Sequence, residues 1–213
     1  GDNNVITIIT GQPYTAECQS DDTWSTELDL SAQPDGTVVV YASQTDDVGN
    51  KGEDTKELLK DTIAPVVGYE DLSTNNPSPE LTGMVNDKNA TVTVEIVETG
   101  QIINATNNQN GTWTVSAGDI ANLTTKTYNL TITATDSAQN SSEITGQLII
   151  DITPPYITSI IPATGQQNPT NQQPIIFHAT FSEPLKGDTL DANGFKIKED
   201  GVVTTAKVTE VTS

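Results

Sequence analysis

Residues 128–140 read Y-N-L-T-I-T-A-T-D-S-A-Q-N, and the first seven of them decide the fold. Tyr128, Leu130, Ile132 and Ala134 are apolar, while Asn129, Thr131 and Thr133 stand between them. A period of two, rich in β-branched residues, is what an antiparallel strand needs when one face is buried and the other meets water. Val92, Val94 and Ile96 alternate in the same way with Thr91, Thr93 and Glu95. Short strands of this kind, separated by N-G, D-G, N-N and proline clusters, predict all-β sandwiches. In the first third, the one segment that reads as a helical turn is Glu53 to Lys60.

Working outward, the chain repeats itself. T-G-Q at Thr10–Gln12 recurs at Thr99–Gln101, and Trp24 has a counterpart in Trp113. T-D-D-V-G-N (Thr45–Asn50) matches T-D-S-A-Q-N (Thr135–Asn140), and D-T-I-A-P from Asp61 matches D-I-T-P-P from Asp151. Two domains therefore end alike: an apolar strand, a D-x-x-x-N loop, a last strand and a D-x-x-x-P linker.

The segments P-E-L-T-G-M-V-N-D (79–87), A-T-V-T-V (90–94), N-G-T-W-T-V (110–115) and T-Y-N-L-T-I-T-A-T-D-S-A-Q-N (127–140) follow one another in this order. In that order they resemble the bacterial Ig-like repeats of giant surface adhesins and extracellular fibres. Residues 154–162 (P-P-Y-I-T-S-I-I-P), 168–171 (N-P-T-N), 180–185 (T-F-S-E-P-L) and 193–197 (N-G-F-K-I) resemble a second variety. The resemblance implies tandem Ig-like antiparallel β-sandwiches. Residues 66–152 form a complete domain, 153–213 the N-terminal part of another, and 1–65 the C-terminal part of one of that same variety.

Written end to end, T-A-K-V-T-E-V-T-S (205–213) and G-D-N-N-V-I-T-I-I-T-G (1–11) make a hairpin around a polar turn. The outer pieces thus read as two parts of one domain. A sandwich that the chain enters at one pole and leaves at the other would hold Thr62 and Thr153 about 40 Å apart. Three arrangements stay open: completion by the next repeat of a longer tandem protein, completion by a second chain in a head-to-tail filament, or two unrelated truncated domains.

Composition narrows the partners. The 213 residues suit one to three domains, and 34% apolar residues suit thin sandwich cores. Nine lysines, no arginine and 29 acidic residues give a formal charge of −20. Such a chain offers no basic patch for nucleic acid or for an anionic membrane surface, and it makes divalent cations the natural counter-charge. No apolar run approaches the length of a membrane-spanning helix, and Gly1 opens no signal peptide, so the chain reads as a mature fragment; export to the cell surface is what the resemblance implies, not what a signal shows. Cys18 is the only cysteine and His178 the only histidine, which leaves no thiolate cluster or Cys/His pair.

Carboxylates gather at the expected junctions. Asp46, Asp47, Asn50 and Asp61 belong to the first, beside Asn86 and Asp87; Asp136, Asn140 and Asp151 belong to the second, with Glu183 and Asp188 beyond. Hard oxygen donors drawn from a loop, a linker and a neighbouring domain suit Ca²⁺, and in the resembling adhesin repeats Ca²⁺ stiffens the array. The same Asp and Asn residues also suit turns that bond their own backbone. Both readings stand at this point.

Catalysis finds no constellation. Glu183 is an isolated acid, His178 sits in the strand I-I-F-H-A-T-F, and Trp24 and Trp113 occupy equivalent repeat positions suited to packing. Tyr128 stands where sandwiches of this kind place a structural tyrosine. Six N-x-S/T acceptor patterns (Asn89, Asn104, Asn110, Asn122, Asn129, Asn140) fall in the middle domain, near the number chance supplies in so Ser/Thr-rich a chain. The sequence thus predicts a non-enzymatic stalk or fibre repeat whose partners are copies of itself. The alternatives are a glycan- or surface-binding module, or spacer domains of a secreted polysaccharide-active enzyme.

Overall fold

The computed structural model describes residues 3–8, 13–17, 23, 25–46, 48–167, 169, 175–185, 198–199 and 202–203. Cys18, Trp24, Asp47, Asp188 and the segments 9–12 and 204–213 lie outside the described residues. The chain divides into two compact units, Gly1–Asp151 and Ile152–Ser213. Every regular element is a strand, and among the described residues no helix is long and apolar enough to cross a membrane.

The first unit opens with β1 (Asn3–Ile8), β2 (Pro13–Glu17), β3 (Gly36–Thr45) and β4 (Lys51–Lys60). They form one antiparallel sheet in the order β2-β1-β3-β4. β3 and β4 pair along their whole length, from Gly36↔Lys60 to Thr45↔Lys51. Residues 53–60 are therefore strand, not a helical turn. On a helix Glu53 and Glu57 would stand one turn apart as like charges, and a single turn nucleates poorly by itself. The ladder instead gives every one of these residues a partner on β3, Thr55 to Leu58 on its V-V-V-Y run.

Residues 67–150 build a closed sandwich from β5 (Val67–Tyr69), β6 (Leu72–Thr74), β7 (Leu81–Val85), β8 (Thr91–Ile96), β9 (Gln101–Asn107), β10 (Thr112–Val115), β11 (Lys126–Thr135) and β12 (Ser141–Ile150). The strand order β5-β7-β10-β9-β8-β11-β12-β6 curls at the β10–β9 edge, laying β5-β7-β10 over the other five. The expected alternation holds: Val92, Val94, Ile96, Tyr128, Leu130, Ile132 and Ala134 all face the core.

Trp113 is the centre of that core. It is fully buried, its Nε1 donates to the Gly68 carbonyl at 3.2 Å, and it stacks on Tyr69 with ring centroids 6.1 Å apart. A sugar-stacking role is thereby removed for this tryptophan. Gly83 is what lets it fit, since a Cβ there would collide with the Trp113 ring and the Gly68 oxygen. Gly146 makes the same room for the Tyr69 ring. The Tyr128 hydroxyl accepts the Thr124 N–H at 3.1 Å, four residues upstream, and so ties the strand to its preceding loop.

The internal repeat extends to the element bounds. The hairpin β3–β4 starts at Gly36 and ends at Lys60; β11–β12 starts at Lys126 and ends at Ile150, ninety positions on, with the intervening loop in register too. The sheet order matches as well, β2-β1-β3-β4 against β9-β8-β11-β12.

The second unit contains β13 (Ile157–Pro162) paired antiparallel with β14 (Phe177–Phe181), with a bulge between Ile157 and Ser159. A short ladder joins β15 (Lys198–Glu199) to β16 (Val202–Val203). His178 is an exposed residue of β14, paired with Ile161.

Candidate functional site

The entry to the sandwich is where the expected site residues meet. β11 and β12 are ten residues each, so the loop Asp136–Asn140 lies at one pole and Asp151 at the other, about 30 Å away at the ordinary rise per strand residue. β3 and β4 separate Asp46 from Asp61 in the same way. Neither sequence cluster therefore assembles as grouped. The structure brings Asp61 to Asn140 instead.

Asp136 N–H donates to Asn140 O at 3.0 Å, closing the loop, and Gln139 takes a positive φ of 70 degrees inside it. The Asp136 carboxylate is consumed there. Oδ1 accepts the Asn140 N–H at 2.8 Å, and Oδ2 accepts the Asn140 side-chain amide at 2.8 Å. Asp136 is the buried charged residue of the described chain, 6% exposed. Its pKa is held below the usual carboxylate value, first by the Asn140 side chain and further by backbone N–H groups. The remaining amide proton of Asn140 reaches the main-chain oxygen of Asp61 at 3.1 Å.

Other bonds fix the same linker. Ser142 Oγ donates to Pro65 O, Val66 N–H donates to Asn86 Oδ1 at 2.7 Å, and Asn86 N–H returns to Val66 O at 3.1 Å. The Asp61 carboxylate accepts the Ile63 N–H at 3.0 Å. On the preceding side Asp35 accepts the Thr62 N–H and hydroxyl, both at 3.0 Å, and lies 3.6 Å from Lys60. Asp35, Lys60 and Ser142 were not legible as site residues, because their partners lie 25 to 77 positions away or in plain strand sequence. Asn86 carried its signal in N-D following an apolar strand.

The first loop is a copy of the second. Asp46 Oδ1 accepts the Asn50 N–H at 2.8 Å and the Val48 N–H at 3.1 Å, and Oδ2 accepts the Asn50 amide at 2.8 Å. Its pKa is lowered, with the Asn50 side chain as the largest cause. Gly49 occupies the left-handed position that Gln139 takes in the copy. Asp87 makes the same local turn, accepting the Asn89 N–H at 2.8 Å. At the exit, Asp151 N–H donates to Thr74 O at 3.0 Å.

The donor chemistry of these residues suits Ca²⁺, but their placement does not collect it. Among the described residues no three His, Cys, Asp or Glu side chains converge on a point that could hold a metal ion. The carboxylates of Asp46, Asp61, Asp87 and Asp136 are each turned onto nearby N–H groups.

Comparison with known proteins places this sandwich. Residues 67–152 match the model of a family described as "Bacterial Ig-like domain". No curated protein sequence matches the chain. Similar solved structures include a tetra-tandem repeat from the extending region of a large adhesion protein, at 22% identity, TM-score 0.36, over 76% of this chain and 44% of that one. They also include a Ca²⁺-stabilized adhesin of an ice-binding Antarctic bacterium, at 20% identity, TM-score 0.33, over 78% and 44%. A third is a 1.5-MDa bacterial ice-binding adhesin, at 23% identity, TM-score 0.30, over 71% and 54%. The chain thus spans about half or less of the length of these structures. The closed sandwich is thus the part of the chain, residues 67–152, that is similar to the bacterial Ig-like domain family.

Proposed function

We propose that the chain is a structural repeat of an extracellular stalk or fibre at a bacterial cell surface, a head-to-tail array of Ig-like sandwiches without catalytic activity. The observation that carries this reading is the recurrence of the terminal hairpin and its proline linker ninety positions on, strand bound for strand bound. Chains that repeat one sandwich through short linkers grow in one dimension. The linker supports the same reading. Of its six residues, Asp61, Pro65 and Val66 are bonded to Asn140, Ser142 and Asn86 of the sandwich they enter, which stiffens the connection. The charge of −20 keeps neighbouring arrays apart.

Calcium is a separable addition to this reading. A divalent cation near Asp61, Asp87, Asp136 or Asp151 would screen like charges at the poles, although the joint described here is made of direct hydrogen bonds. Negative-stain images of the 213-residue chain test the main reading: thin beaded rods support it, and compact globules sink it. Thermal melts with added Ca²⁺ and with chelator test the addition. An unchanged melt removes calcium and leaves the stalk.

A further inference from the structure

The repeat also shows what the outer segments lack. In the closed sandwich, β9-β8-β11-β12 is covered by β5-β7-β10. The sheet β2-β1-β3-β4 has the first order strand for strand, yet the face that β3 and β4 share is only partly covered: Val38 is buried, at 3% exposed, but its pair Leu58 is not. Leu58 is 54% exposed, whereas Leu148, its counterpart ninety positions on, is 0% exposed. Val40 and Ala42 are half-buried where Leu130 and Ile132, ninety positions on, are fully enclosed.

The hairpin β13–β14 is the converse. It corresponds to β5–β7: Val67 pairs with Val85 at the start of that ladder, and Ile157 pairs with Phe181 here. Opposed residues in an antiparallel ladder share a face. Ile157, Ile160, Pro162, Phe177, Ala179 and Phe181 therefore form one wholly apolar surface, and His178 and Thr180 lie on the other. Ile157 and Phe177 are 48% and 59% exposed, against 7% and 1% for their counterparts Val67 and Leu81.

We infer that these two faces are the halves of one sandwich, and that the occupant of the β13–β14 face is the β2-β1-β3-β4 sheet of a second copy of this chain. The inference rests on the array reading above and names how one unit of the array joins the next. Geometry favours a second copy. The chain enters the closed sandwich beside Ser142 and leaves it after Ile150, at the far end of β12, about 30 Å away. Mating within one chain would have to bridge that span; mating between copies has nothing to bridge. A contact between unlike faces is heterologous and propagates as an open line.

Two single variants of the full chain test the junction. Leu58→Asp spoils the sheet face and spares the hairpin; Phe177→Asp does the reverse. The unaltered chain should form oligomers that lengthen with concentration in light scattering and sedimentation. Each variant alone should associate about 100-fold more weakly, since a carboxylate would be buried at the join. Mixed, they should form dimers and stop there, because the intact hairpin of one meets the intact sheet of the other. An unaltered chain that stays monomeric, oligomers that survive both substitutions, or a mixture without dimers would each overturn the junction. Monomers that still image as thin rods would discard the junction and keep the stalk; compact monomers would discard both. The melt of the closed sandwich reports that the variants are folded.

Discussion

The side-chain amide of Asn140 reaches the main-chain oxygen of Asp61 at 3.1 Å, across 79 positions of sequence. The same amide holds Asp136, so one side chain fastens a loop to the linker that enters its domain. Asn140→Ala removes both bonds and leaves the buried Asp136 carboxylate short of a donor. The expected loss is about 1–3 kcal/mol in denaturant unfolding of the sandwich, with faster proteolysis between Asp61 and Val66. An unchanged cleavage rate would detach the loop from the linker.

Acid should unfasten the two copied loops. Hydrogen bonds to the ionised forms depress the pKa values of Asp46 and Asp136. A depressed folded value means stability that is present above the unfolded carboxylate value of about 4 and lost as pH falls through the folded one. Denaturant midpoints should therefore be flat near neutrality and decline below about pH 4. Asp136→Asn should lower stability at neutral pH and make the acid decline shallower.

Gly83 and Gly146 give a steric test. A methyl group at either position meets the Trp113 or Tyr69 ring with no space to yield. Gly83→Ala and Gly146→Ala should each cost about 1–3 kcal/mol, the usual range for overpacking. The near-ultraviolet dichroism of the stacked rings should change with them. Gly100→Ala, with open space around its Cβ but a positive φ, should cost less.

Tyr69 offers an alkaline marker. Burial first, and the Asp71 carboxylate second, push its hydroxyl up to about 12. The folded state keeps a proton that the unfolded chain releases near pH 10, so stability falls as pH rises between those values. Absorbance titration should show one late-ionising tyrosine, and Tyr69→Phe should remove that phase.

The sheet architecture was open to reading because alternation is local: each of Tyr128, Leu130, Ile132 and Ala134 announces its face without knowing its neighbours. The D-x-x-x-N loops were legible for a similar reason, as Asp136 and Asn140 bond within five residues. Their placement was not. Ten-residue strands carry the loop and the following linker to opposite poles, so residues near in sequence parted and Asp61 met Asn140 instead. Residues 53–60 misled because charge-rich sequence has no strong period, and the partner strand β3 decided its conformation. Asp35, Ser142 and the exposed faces of Leu58 and Phe177 depend on what lies across space.

The way β6 lies along β12 bears on tension. Leu72, Ser73 and Thr74 run parallel to Leu148, Ile149 and Ile150, joining an early strand of the sandwich to its last. A pull applied at the two linkers drives such strands past each other lengthwise, so the backbone bonds between them share the load and must break together. Strands pulled apart sideways would unzip rung by rung. A tether assembled from units of this pattern would resist drag from flow far better than its modest core suggests.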